Sequence, residues 1–426
     1  LLMSKTSFVI SCPYDTYSGY GARSRDIIKA IVQSGKYDVK LLPQRWGSTS
    51  WGFCDAHSEW KFLNDLRISK LTKRPDIWMQ ITIPNEFQPV GKYNIGCTAG
   101  IEADKCKPEW IAGLNKMDRN FVSSKFTKEM FESQIFDQKD KKTNQVIGSV
   151  KLEKPIDVVF EGVNLDTYKP LKNNELNTFD FSNIKESFCY LFVGHWMQAD
   201  FGHDRKNVSL LVKAFYETFK NKKKKPALIL KASTGVAGYM SRDSILDKIK
   251  SIRKSVDSSN LPNIYVLNGE FDDSEINELY NHPKVKAMVS LTKGEGFGRP
   301  LLEFTTSGKP VIASGWSGHV DFLHKDFSVL IPGELELVHA SAVNNWLIPE
   351  AKWFKPDTRY VGGAFKNVFE KYKDFKSNSK RQKYYTEQNY SWNHMEKLVN
   401  QILDDNLPEF PKEMELKLPE LNIPKL

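Results

Sequence analysis

Cysteine is scarce. Five thiols, Cys12, Cys54, Cys97, Cys106 and Cys189, are scattered over 426 residues and form no CxxC pair. That spacing excludes a zinc knot and a disulfide framework, leaving reduced and mostly buried thiols as the expectation. No Asp-x-Asp occurs, so the short paired-carboxylate cradle for a divalent ion is missing, and no His/Cys/Asp group has metal-ligand spacing. No apolar run approaches the roughly 20 residues that span a bilayer. Nothing near the start has the layout of a secretory signal. These absences lead us to expect a soluble, cytoplasmic chain without metal, its membrane association, if any, being peripheral.

What is present describes a well-packed protein. Hydrophobic residues make up 40% and charged residues 27%, enough apolar surface for real cores and too much for a disordered chain. The length favours two domains over one. Net charge is +9, from 61 basic against 52 acidic residues, which suits phosphates, an anionic membrane surface or nucleic acid as partners. The densest basic run, Lys222 to Lys225, reads as a solvated helix-to-strand turn.

Buried-strand runs alternate with amphipathic ones. TSFVISCP begins the series; a Gly-rich turn follows, and then the helix GARSRDIIKAIVQSG. Strand-like YDVKLLPQ, DIWMQITIP, YNIGCTAGI, DRNFVSS and IDVVFEGV continue it. After a polar stretch at 171–187 the pattern restarts with FCYLFVGHW, PALILKAS, NIYVLNGE, KAMVSLTK and KPVIASGW, separated by helical segments. Such alternation implies parallel sheets with helices on both faces. The fold class expected is α/β, with two doubly wound Rossmann-like αβα domains facing across a cleft. They would occupy 1–175 and 176–384, followed by a C-terminal helix and extended tail at 385–426 that could return to the first domain.

The stretch SLTKGEGFGRPLLEFTTSGKPVIASGWSG (290–318) is the most informative. A strand runs into Gly294-Glu295-Gly296-Phe297-Gly298, and a helix opens near Pro300, a residue comfortable in a first helical turn. Glycines let backbone amides approach a ligand, and a helix N-terminus favours an anion. Glu303 follows Glu295 by eight positions, about two helical turns. Two carboxylates so placed could hold hydroxyls on different parts of one long polar ligand.

Glu295, seven residues, Glu303 and the Gly-Lys-Pro-Val-Ile-Ala-Ser continuation resemble the E-x7-E motif of the retaining glycosyltransferase family 4, of GT-B fold. The resemblance implies an enzyme moving a hexose from a nucleoside-diphosphate sugar, UDP- or GDP-linked, to a polar acceptor without a cofactor. Glu303 would hold the ribose; Glu295 and the amides of Gly296, Phe297 and Gly298 would hold the hexose. Ser18-Gly19-Tyr20-Gly21 resembles the N-terminal glycine loop, placing Gly19 and Gly21 near the donor and Tyr20 on the acceptor side. Thr98 or Glu102 would sit near the sugar.

Where the family has Gly-Arg, this chain has Gly194-His195-Trp196, a departure followed by an insertion. Lys206 matches the family's pyrophosphate lysine, and Arg205 would replace the missing arginine. A departing diphosphate gathers negative charge, which calls for two cations. Lys206 reads as a solvated lysine at a helix start, so its removal should leave folding unaffected. Lys231 is a third candidate cation. His195 is either a phosphate contact or a strand-end histidine, and Asn268 ends a strand where the family places its nucleobase pocket. Two other readings remain open. The acceptor could be a modified DNA base met by the aromatic loop from Arg45-Trp46 to Trp51 and Phe53, or the chain could be a non-catalytic nucleotide- or glycan-binding module.

Overall fold

The computed structural model describes residues 5–140 and 142–411; the extended tail expected beyond 411 lies outside them. Strands form where Val, Ile, Leu and Phe cluster between Gly, Pro and polar caps. In the first half these are β1 (Thr6–Cys12), β2 (Tyr37–Pro43), β3 (Ile77–Ile81), β4 (Tyr93–Thr98) and β5 (Arg119–Val122). An antiparallel hairpin of β6 (Ile135–Lys139) and β7 (Val146–Lys151) then precedes β8 (Ile156–Val158). The sheet is parallel throughout, in the order β2-β1-β3-β4-β5-β8.

The second half repeats the plan with β9 (Cys189–His195), β10 (Ala227–Ser233), β11 (Ile264–Leu267), β12 (Val285–Ser290), β13 (Val311–Ser314) and β14 (Val329–Ile331). Its parallel order is β11-β10-β9-β12-β13-β14. A hairpin of β15 (Gly333–Leu337) and β16 (Lys352–Pro356) follows.

Helices cover both faces. In the first domain they are α1 (Gly19–Gln33), the single turns α2 (Phe53–Ala56) and α3 (Phe62–Asp65), α4 (Pro108–Leu114) and α5 (Lys125–Ser133). The second carries α6 (Val208–Phe219), α7 (Tyr239–Lys254), α8 (Asp273–Asn281) and α9 (Arg299–Thr305), followed by α10 (Thr358–Glu370), α11 (Tyr372–Asn389) and α12 (Trp392–Asn406). Helix α1 begins at Gly19, two residues before the helical pattern read from sequence. The Ser18 hydroxyl accepts a hydrogen bond from the Gly21 amide and caps the helix there, so the Gly-rich turn is its first turn.

The chain crosses between the domains repeatedly. Val163 and Tyr168 already pack in the second domain's core with Phe304 and Tyr280. The segment linking β15 and β16 sends Val338, Leu347 and Ala351 into the first domain's core, where they join Trp353 of β16, Trp110 and Phe131. Helix α12 returns to α1 and buries Trp392, Met395, Val399 and Leu403 beside Ile27 and Ile31. Among the described residues, no helix is long and apolar enough to cross a membrane.

Candidate active site

Each sheet reverses its winding beside its first strand, between β1 and β3 and between β9 and β12. Connections leave such a point in opposite directions and open a crevice at the strands' C-terminal ends. The loops after β1, β4 and β12 meet there around a cavity of about 220 Å³. Gly19, Tyr20 and Thr98 line it from the first domain, and Glu295, Gly296 and Gly298 from the second.

The glycines serve the contact between domains as well as any ligand. A Cβ on Gly294 would lie 2.3 Å from the Glu102 carbonyl oxygen, and one on Gly296 2.7 Å from that of Ala99. The loop after β12 therefore lies backbone to backbone against the loop after β4, and a side chain at either position would push the domains apart. Gly298 caps α9 at φ 96°, a left-handed conformation that glycine adopts without strain.

Four charges alternate across this contact. Lys206 Nζ lies 2.5 Å from Glu295 Oε1; Glu295 Oε2 lies 3.5 Å from Arg205 Nη1; and that nitrogen is 3.3 Å from Glu102 Oε1 of the first domain. Arg205 also donates to the Gly294 carbonyl at 2.9 Å. Burial alone would raise the Glu295 carboxyl, but Lys206 and Arg205 outweigh it and hold the group at about 2. Burial pulls the Lys206 ammonium below its usual range while Glu295 resists. This corrects the expectation of a solvated Lys206: its side chain is 15% exposed, and it is the closest cation to the buried Glu295.

Glu303, buried on α9, pairs with a different cation. Arg299, one helical turn earlier, donates from Nε to Glu303 Oε1 at 2.8 Å and from Nη1 to Asp26 Oδ2 of α1 at 2.5 Å. Burial pushes the Glu303 carboxyl up to about 8, with Arg299 pulling it down and Asp273 and Asp26 adding to the rise. Among the described residues, no three His, Cys, Asp or Glu side chains converge to hold a metal ion.

Residues 198–346, spanning Arg205, Lys206, Glu295 and Glu303, match the family model described as glycosyl transferases group 1. Over that segment the chain is similar to group 1 glycosyltransferases. Its architecture is that of a glycosyltransferase from Rickettsia africae, with a TM-score of 0.62 at 15% identity over 94% of this chain and 98% of that one. Sucrose-phosphate synthase from Thermosynechococcus elongatus superposes with a TM-score of 0.61 at 13% identity, covering 94% and 98%. Anabaena HepE, solved in complex with UDP and glucose, gives 0.60 at 13% identity, covering 94% and 100%. At such identities the likeness shows the shared fold, GT-B. Comparison with curated protein sequences gives no match.

The other sequence candidates are distributed around the cleft. Tyr20 Oη lies 3.0 Å from Thr98 Oγ1 and accepts from the Ala99 amide, so these two residues brace each other. Trp46 stacks on Tyr20 with ring centroids 3.9 Å apart. Phe53 of the same aromatic loop lies under the Arg25 guanidinium, 3.4 Å from it. Gly21 faces Thr16 rather than open space, whereas Gly19 is unobstructed. The Phe297 ring packs on Phe322 in the second domain's core.

His195 Nδ1 lies 2.9 Å from the Ser233 hydroxyl. Partial burial and the nearby cations Lys206, Lys231 and Arg205 keep its imidazole below the usual range and favour the neutral form. Lys231, at the end of β10, has its ammonium 5.5 Å from the Phe271 ring centroid. The Asn268 side chain accepts from the Gly238 amide at 2.9 Å and donates to the Ala232 carbonyl at 2.9 Å, tying two loops together. Sequence reasoning missed Arg299 and its partners Asp26 and Glu161. No local sequence signal marks them: Asp26 follows Arg23 and Arg25 in a polar helix start, and Glu161 lies beyond β8.

Proposed function

We propose that this transferase moves a hexose from a UDP-sugar to an acceptor hydroxyl with retention of configuration and without a metal. The observation that carries the reading is Glu295, buried and ionised between Lys206 and Arg205 where the two domains touch. Glu295 would accept hydroxyl hydrogens of the hexose. Lys206 and Arg205 would meet the diphosphate as the C1–O bond breaks and its electron pair moves to the leaving oxygen. The acceptor oxygen then bonds to C1 on the same face, and its proton passes to the departing phosphate. The UDP donor is suggested by the ligand of HepE, and the family resemblance supports retention.

Glu303 is assigned to the ribose, whose hydroxyls donate to a carboxylate but pair poorly with a neutral acid. Its folded-state pKa is raised to about 8, so below that value binding must first remove a proton. Affinity for UDP-glucose, whose diphosphate does not titrate near neutrality, should therefore rise about tenfold per pH unit from 6 towards 8 and then level off. Glu303→Gln should abolish this slope and bind about tenfold to a hundredfold more weakly at pH 8.5, a loss of ~1.5–3 kcal/mol. Calorimetry across this pH range tests it; an unchanged profile in Glu303→Gln would remove the residue from the ribose site.

Turnover should survive excess EDTA, because two side-chain cations are assigned to the diphosphate. Complete loss, restored by Mg²⁺ or Mn²⁺, would overturn that assignment.

A further inference from the structure

Arg299 is the residue that the proposed reaction leaves unexplained. It lies in the first turn of α9, its side chain only 19% exposed, and it touches three carboxylates from two domains. Glu303 lies on its own helix at 2.8 Å, whereas Asp26 of α1 at 2.5 Å and Glu161 at 3.9 Å belong to the first domain. One cation cannot fully compensate three buried anions, so the carboxylates compete for it. Glu161 feels this too: burial raises its carboxyl, with Arg23 and Arg299 opposing.

We propose that Arg299 is a positioning residue shared between Glu303 of the second domain and Asp26 of the first, so that α1 tunes the donor-binding carboxylate across the domain contact. This rests on the assignment of Glu303 to the ribose. Asp26 draws on the guanidinium, which leaves Glu303 less compensated than if Arg299 served it alone.

Asp273, Tyr168 and Tyr280 also face Glu303. Asp273 at the start of α8 adds negative charge, and Tyr168 donates to it at 3.1 Å. Tyr280 of α8 is a neutral phenol whose buried hydroxyl has no hydrogen-bond partner. Neither tyrosine is ionised near neutrality, because burial raises both. Arg299 is the one cation in direct contact with Glu303 among the described residues.

The test is the pH midpoint of UDP-glucose binding, measured by calorimetry in the full chain. Arg299→Met should move the midpoint up by a unit or more, and Arg299→Lys should restore part of the shift. Asp26→Asn should move it down, because the whole guanidinium then serves Glu303. Opposite shifts from the two sites are the signature, since a merely structural role would not produce them. If Asp26→Asn leaves the midpoint in place or raises it, the proposal fails, even should Arg299→Met not fold. If instead Glu303→Gln keeps the wild-type slope, the ribose assignment falls first.

Discussion

Replacing Lys206 by alanine is expected to cut turnover about a hundredfold to a thousandfold, or ~2.7–4 kcal/mol of barrier. The donor diphosphate carries about two negative charges, and bond cleavage adds more on the leaving oxygen, so a cation there stabilises the transition state beyond the ground state. The structure adds a second effect. Glu295 sits buried 2.5 Å from the ammonium, and removing one partner of a buried pair costs roughly 3–5 kcal/mol. Lys206→Ala should therefore melt at lower temperature as well as turn over slowly. Lys206→Met with Glu295→Gln, which removes both charges, should recover much of the stability and none of the activity. Lys223→Ala, in the exposed basic run, is the silent control. If Lys206→Ala keeps near-normal turnover while Arg205→Ala abolishes it, the phosphate cation has been misassigned.

Trp353→Ala should destabilise the fold by about 3–5 kcal/mol. Its ring is fully buried and anchors the β15–β16 arm in the first domain's core. The indole nitrogen has no hydrogen-bond partner, so Trp353→Phe should cost far less: only ring volume is lost. The neighbouring Phe354 amide donates to the Lys293 carbonyl at 2.8 Å, one residue before the Gly294 turn. Loosening the arm should consequently lower turnover too. Chemical denaturation with both variants, followed by kinetics under native conditions, checks each effect. Equal stability of Trp353→Ala and wild type would mean that the arm contributes nothing to holding the domains together.

The order of strands and helices was legible because it depends on local pattern. Short β-branched and aromatic runs gave the strands, and the Gly-Phe-Gly-Arg-Pro passage marked the start of α9. The two glutamates were legible for the same reason, as spacing and glycines lie within one segment. Interactions between distant segments left no such trace. Arg299 and Asp26 are 273 positions apart, and nothing local announces their pairing. The β15–β16 arm escaped because Leu335 and Leu337 remain exposed while the buried residues of the arm insert into another domain. Lys206 looked solvated for a related reason. Its partner is Glu295, 89 positions away, and nothing in the local segment announces that pairing.

Helix α12 has a consequence for the order in which the protein can be made. The first domain's sheet is complete by Val158, yet one face of its core is closed by Trp392, Met395, Val399 and Leu403. During synthesis the ribosome must therefore deliver the entire second domain before the first can finish folding. Until then Ile27 and Ile31 on α1 lack that covering, an apolar surface of the kind chaperones hold and aggregates recruit. The two domains thus mature as one unit, sealed by α12.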